Sequence, residues 1–331
     1  MTFDPNYATN GHFYVSYTTD NGGIYDSGVS HIARFTVSAT DPNFTDPSTE
    51  VTVITVDQPF NDHDFDWIGF SNRSGDDGNL YICSGDGGGY CDRGEGHVSG
   101  GNGQSTETLL AKILRIHIGD DGTYTIPPNN PFAGQPAPVK QEIFCYGFSE
   151  PFRGQLRSPK WRCANWRRGG SITAKRWTCR ATLNPGGGEN YGWQIREGSI
   201  QSTCDQRPKP PDAVDPILDY AHDTTGSCVI GRYVYRGKKV RALHNLYVFA
   251  DCFGPGLTNF LGKVWTLRYH DGVASDFMDI TSQLFPTRVG GYTLNALTSL
   301  GEDANGELYL VDEDVAGGTG VGNVYKIVRS Q

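Results

Sequence analysis

The strand GHFYVSYT, beginning at Gly11, is written three more times along this chain: as GNLYICSGD from Gly78, HNLYVFAD from His244 and GELYLVDED from Gly306. Each copy opens on a turn, alternates β-branched or aromatic residues with polar ones, and closes on polar residues, which is the period of a strand buried on one face. A second strand follows each copy: HIARFTVS from His31, AKILRIHI from Ala111, GKVWTLRY from Gly262 and GNVYKIVRS from Gly322. Paired strands recurring at intervals of roughly 60 residues, with Gly, Asp and Asn between them, have the pattern of propeller blades. A β-sandwich is the alternative fold, but its strands need not resemble one another.

The copies leave room for a further one near residues 155–185, where no strand pattern is readable. Instead Phe152 to Ala181 reads FRGQLRSPKWRCANWRRGGSITAKRWTCRA, with nine of the 28 basic residues, three of the six Trp and no acid. One reading makes it an anion-binding arm with Arg and Trp interleaved, as in single-stranded nucleic-acid binders. The other makes it a divergent or out-of-frame stretch in place of a normal blade strand, and the abrupt return of patterning at NPGGGENYGW favours replacement over an added domain. The expectation is one β-propeller domain over 1–331, with 152–181 as an aberrant basic, Trp-rich segment.

Bulk properties narrow the function. With 43 Gly, 18 Pro and 12% aromatics the composition suits short strands and tight turns rather than long helices. A net charge of −9 would repel nucleic acid and anionic membranes, so neither is an expected partner. No apolar run reaches the length of a membrane-spanning helix, and MTFDPNYATNG has neither the basic region nor the apolar core of a signal peptide, so a soluble chain is expected. The eight cysteines form no CxxC, which argues against a zinc knuckle or a thioredoxin-type dithiol. The candidate disulfides are Cys83 with Cys91, across the glycine loop, and Cys204 with Cys228.

Four stretches hold residues that could carry chemistry. FNDHDFDWIGF, from Phe60, alternates Asp62, Asp64 and Asp66 on one face with His63, Phe65 and Trp67 on the other. Three carboxylates in a row need solvent or a cation, but Trp67 and Arg73 stand where an EF-hand needs Gly and Glu. His63, tuned by Asp62, could serve as a general base; a packed structural histidine is the other reading. SGDGGGYCDRGEGH, residues 84–97, could wrap calcium or form a flexible loop at a blade edge, and it lacks the GK[ST] of a phosphate loop. NPGGGENYGW, from Asn184 to the anchors Tyr191 and Trp193, could line a ligand cavity, bind a hard cation through oxygen, or be a plain turn. YAHDTTGSCVIGRYVYRG, from Tyr220, brings His222, Asp223, Ser227 and Arg236, the last either a planar-ligand contact or a surface residue.

Together the stretches FDPNYATNGHFYVSYT, DHDFDWIGF, GNLYICSGDGG, LLAKILRIHI with YTIPPNNPF, GGENYGWQIREG, YVYRG and LGEDANGELYLVD, in that order over most of the chain, resemble the glucose and sorbosone dehydrogenase family. These are six-bladed propellers whose relatives include aldose dehydrogenases and the propeller of hedgehog-interacting protein. The resemblance implies an all-β, six-bladed β-propeller, here with an incomplete first blade and a disrupted central blade. It implies pyrroloquinoline quinone (PQQ) as cofactor, calcium to polarise the quinone, and oxidation of an aldose-type sugar at its anomeric carbon, with a sugar substrate and an electron acceptor as partners. His63 matches the family's base; Asp62 and Ser227 fall at cofactor-binding positions, and Gly187 and Tyr191 near the calcium ligands. Secretion or a periplasmic location follows from the same resemblance.

The sequence also departs from the family. Ser149 and Glu150 stand where an Arg-Asn pair is usual, the Gly-Asp-Val-Gly-Gln strand is not found, and TSLGEDANG lacks paired arginines that hold the cofactor's carboxylates. These departures support the alternative, a non-catalytic propeller that binds a protein or carbohydrate partner.

Overall fold

The computed structural model describes residues 1–22, 27–71, 74–157, 160–164, 176–181, 186–221, 226, 228–254, 262–270, 273–284, 294–313 and 322–329. It is almost wholly β, with one four-residue helix, Tyr7–Asn10. The chain divides into two compact units: residues 1–163, 181–197 and 201–215 form the first, and residues 164–180, 198–200 and 216–331 the second.

In the first unit, β1 (Thr2–Phe3), β2 (His12–Asp20), β3 (Gly28–Thr36) and β4 (Val51–Gln58) form a four-stranded sheet in sequence order. The next sheet runs β5 (Phe65–Phe70), β6 (Asn79–Ser84), β7 (Lys112–Ile118) and β8 (Tyr124–Thr125), and β9 (Ile143–Tyr146) also pairs with β7. Such up-and-down sheets are the units of a propeller blade. Tyr14, Ile32, Ile54, Ile68, Leu80, Ile82, Leu114 and Ile116 interdigitate in one core cluster. Each such side chain contributes about 1.5–3 kcal/mol by leaving water. The alternate residues of β6 and β7 face another way: Tyr81, Cys83 and Ile113 join Phe144, Phe148 and Tyr191 in a second cluster.

Three strands follow where the sequence pattern is blank: β10 (Arg153–Arg157), β11 (Lys160–Ala164) and β12 (Arg176–Ala181). Two short strands come next, β13 (Arg196–Glu197) and β14 (Ile200–Gln201). β15 (Leu218–Ala221) pairs antiparallel with β12, Arg176 opposite Ala221 and Cys179 opposite Leu218. Backbone hydrogen bonding thus organises part of a segment whose side chains carry no strand signature. Both readings of that segment rest on side chains at 155–185, outside the described residues.

In the second unit, β16 (Val229–Val234), β17 (Tyr247–Asp251), β18 (Lys263–His270) and β19 (Val273–Asp279) form a four-stranded meander, and β20 (Leu297–Glu302), β21 (Leu308–Asp312) and β22 (Asn323–Lys326) a three-stranded one. Every copy of the repeat is a strand, and each pairs antiparallel with the second strand assigned to it: β2 with β3, β6 with β7, β17 with β18 and β21 with β22.

Two expectations are corrected. The first sheet is not short of a strand, because Thr2 and Phe3, too few to show a period, pair with Tyr14 and Phe13. The disulfides are Cys91–Cys204 and Cys228–Cys252, with Cα separations of 5.2 and 5.6 Å. Strand alternation turns Cys83 into the second core cluster, where it is buried with Cys145, while Cys91 packs with Cys204. No described helix is long and apolar enough to cross a membrane.

Candidate functional site

Strand register assembles the site within the first unit. Phe65 lies opposite Ser84 in the β5–β6 pair. The pairing continues beyond the strand ends: Gly85 N–H donates to the Asp64 carbonyl at 2.9 Å and Gly87 N–H to the His63 carbonyl at 3.2 Å. This brings the His63 loop against the glycine loop. In turn Lys112 lies opposite Tyr146 in the β7–β9 pair, and the chain leaving β9 places Ser149, whose carbonyl accepts from Asp86 N–H at 2.7 Å.

The glycines allow this approach. A Cβ on Gly85 would lie 2.1 Å from the His63 carbonyl oxygen, and one on Gly88, at φ +78°, would lie 1.8 Å from Asp62 Oδ1. Part of the loop expected to be flexible is instead packed, with Asp86 and Asp92 fully buried, while Tyr90 and residues 93–96 are exposed.

His63 sits at φ +59°, a conformation seldom adopted by a side chain other than glycine and one often associated with functional sites. Its imidazole is buried, and Nδ1 lies 2.6 Å from Asp86 Oδ1. Asp86 Oδ2 accepts from Trp193 Nε1 at 2.8 Å and from the Ser149 hydroxyl at 3.2 Å, while Asn102 Nδ2 donates to the Asp86 carbonyl at 2.9 Å. Thus one carboxylate is fixed from three chain segments and holds the ring. On the far side, His63 Nε2 is 3.7 Å from Glu150 Oε2, and both atoms are buried with no hydrogen-bond partner.

Burial alone would lower the His63 pKa, but Asp86, Glu150 and Asp62 overcome it and push it up to about 10. Glu150 is pushed up to about 7, chiefly by burial, with His63 opposing and Asp86, Asp62 and Asp64 adding to the rise. Asp66 is raised well above the carboxylate range by burial and by Glu150, and Asp64 is raised by burial. At neutral pH the centre is therefore an imidazolium held against Asp86 and facing a Glu150 that titrates near 7.

The structure brings together His63 and Asp62 from the sequence analysis. Asp62 is exposed, with its carboxylate against Gly88. Tyr191 is buried against Phe148, ring centroids 4.7 Å apart, and its N–H donates to the Tyr146 carbonyl at 2.8 Å. Gly187 packs on Phe144. Ser227, His222 and Asp223 lie outside the described residues, and Arg236 is exposed. Asp86 and Glu150 were missed as members. Asp86 stood in a quoted motif, between glycines that could have signalled a close backbone approach, and Glu150 had registered only as a departure.

PQQ carries three carboxylates and needs cationic donors. The described side chains gathered with His63 are Asp62, Asp64, Asp66, Asp86 and Glu150, with Arg153 acting on Asp66, a set in which carboxyl groups outnumber cations. Buried Lys112, its pKa lowered to about 7 by burial, is turned to the carbonyls of Asn102 and Leu110, at 2.7 and 2.6 Å. The described residues thus do not fit PQQ. For calcium, no group of three or more His, Cys, Asp or Glu among the described residues is placed to hold a metal ion.

Comparison with known proteins matches residues 1–252 to the glucose/sorbosone dehydrogenase family. The chain is 27% identical to the HIPL1 protein of Arabidopsis thaliana and 29% identical to the hedgehog-interacting protein of Mus musculus, each over 99% of this chain. It spans 52% and 42% of those proteins' lengths. Among solved structures, one titled glucose dehydrogenase superposes with a TM-score of 0.70 at 17% identity, over 99% of this chain and 81% of that one. That likeness is one of fold and supports an all-β propeller architecture.

Proposed function

Because the chain belongs to the glucose/sorbosone dehydrogenase family, we propose that it is an oxidoreductase of the sugar dehydrogenase kind, whose His63–Asp86–Glu150 centre takes up and deprotonates a carbohydrate hydroxyl. The observation that carries this reading is the pair of buried, unpartnered atoms, His63 Nε2 and Glu150 Oε2, 3.7 Å apart. A hydroxyl oxygen about 2.8 Å from each would accept from the imidazolium N–H and present its own proton to the carboxylate. Asp86 keeps the ring oriented and charged. The proton passes to Glu150, whose pKa of about 7 suits a proton acceptor near neutrality, so the histidine and the glutamate act as one unit.

The described residues account for the proton and name no acceptor for the hydride. PQQ with calcium is the acceptor that the family resemblance implies, and no step is routed through it. The two disulfides fit an extracytoplasmic, oxidising compartment, which we propose as the location.

The test is aldose oxidation with an artificial electron acceptor, with and without added PQQ and calcium. Turnover rising through about pH 7, and falling at least a hundredfold in His63→Ala and Glu150→Gln, is expected. Turnover that survives both substitutions would remove this centre from the reaction.

A second reading, a non-catalytic propeller that binds a carbohydrate or protein, is favoured by the carboxylates around His63 and by relatives named for an interaction. Saturable sugar binding by a well-folded chain with no oxidation under any acceptor would select it.

A further inference from the structure

The segment Arg93–Gly101, left without a role by the His63 centre, forms one wall of a separate cavity of about 550 Å³ in the first unit; Gln194, Asp205 and Arg207 complete its lining. That volume lies within the range of small-molecule sites. The Cys91–Cys204 disulfide ties the two stretches that bear the arginines, and Arg93 Nη2 donates to the Cys204 carbonyl.

The spare hydrogen-bonding groups are specific. The His97 side chain is 2% exposed; Nδ1 lies 3.4 Å from the Glu95 carbonyl, and Nε2 is turned to Asp92 Oδ1 at 3.7 Å. Gln194 Nε2 donates to the Gly100 carbonyl at 3.1 Å, and Oε1 is buried without a partner. Of the lining side chains, Gln194 thus holds an acceptor that no donor of the chain reaches.

Its charge is positive. Asp205 is held by Arg207, with Nε and Nη2 at 2.8 and 2.6 Å, so those two cancel and the Arg93 guanidinium is in surplus. Asp92, whose Oδ1 faces His97 Nε2 at 3.7 Å, is pushed up to about 8 by burial and by Asp86. Val98 is the one aliphatic side chain of the lining, which suits a hydroxylated ligand and no apolar one.

We propose that this cavity is a second binding site, for a sugar residue that bears a carboxylate, a uronic acid, with Arg93 receiving the carboxylate and Gln194 Oε1 accepting from a ring hydroxyl. The planar fork of arginine matches a carboxylate in two parallel hydrogen bonds. The inference stands independently of the reaction assigned to His63.

The experiment is calorimetric titration of the whole chain with D-glucuronate and, separately, D-glucose. Glucuronate is expected to bind saturably, at least tenfold tighter than glucose, and more weakly as salt rises. Arg93→Gln should lower its affinity to that of glucose without moving the unliganded melting temperature. Ser99→Asp, a charge added at an exposed lining position, should weaken glucuronate several-fold and leave glucose alone. His63→Ala should leave glucuronate binding unchanged. Equal affinity for the two sugars, or a preference that survives both Arg93→Gln and Ser99→Asp, overturns the proposal. So does a preference lost in His63→Ala, which would place the ligand at the other centre.

Discussion

Three copies of the repeated strand end on a buried aspartate, Asp86, Asp251 and Asp312, and the first two are used differently. Asp86 follows β6 and Asp251 closes β17, and they are equally inaccessible at 1% and 0% exposure. Asp251 accepts from the Tyr220 hydroxyl at 2.8 Å and from the backbone N–H groups of Cys228, Phe253 and Gly254 at 2.9, 3.3 and 2.7 Å. It ties together the chain around the Cys228–Cys252 disulfide. Asp86 takes an indole, a hydroxyl and an imidazole, and through the imidazole faces a second carboxylate. Burial is the same; the partners decide whether the position holds structure or also holds a charge in readiness.

Removing each aspartate tests the contrast most severely. Asp86→Ala leaves an imidazolium buried without its main counter-charge and should cost about 3–5 kcal/mol in urea unfolding. Asp251→Ala orphans a hydroxyl and backbone N–H groups, at about 1–3 kcal/mol for a buried donor left unpaired. A loss at Asp86 no larger than at Asp251 would erase the distinction.

The pH dependence comes next. His63 is raised in the folded state, so its contribution is fully present below its ordinary 6.5 and is lost as pH rises through about 10. Glu150 is also raised, so its contribution is present below its ordinary 4.5 and lost as pH rises through about 7. Both signs agree: stability should fall from pH 6.5 to pH 10, by at most about 1.4 kcal/mol per pH unit for each proton. Asp251→Ala should keep that slope and Asp86→Ala should flatten it, as melting curves across the range would show.

Gly85→Ala probes the approach of the two loops. A Cβ there meets the His63 carbonyl, so overpacking should cost about 1–3 kcal/mol and reduce turnover with it. A neutral result would mean that the loops have room to part. The smallest effect is the control: Lys209→Ala removes a pair with Asp215 whose side chains are 36% and 57% exposed and should change stability by less than about 1 kcal/mol.

The strands of the repeat were legible because their signal is local: a period of two and a turn at each start are written into each segment. The basic segment shows the limit of that signal. Its backbone runs in strands, the last of them hydrogen-bonded to β15 beyond the segment, and no local pattern announces them. His63 was legible as a chemical candidate because its residue type and acidic neighbours stand together in sequence. Its working partners were not, since Asp86 and Trp193 lie 107 residues apart and meet only after β5–β6 and β7–β9 have paired. The same holds for the disulfides, where neighbours in sequence, Cys83 and Cys91, proved to face different surroundings.

By itself the sequence determined an all-β chain of repeated strand pairs, the family, and a histidine set among carboxylates. Tertiary structure decided which carboxylate holds the histidine, that Glu150 faces its free nitrogen, and that a cystine-bounded loop frames a second polar cavity. The physical reason is that composition and period are properties of a segment, whereas a buried charge acquires its partners, and so its protonation state, from chain segments that only folding brings within a few ångströms.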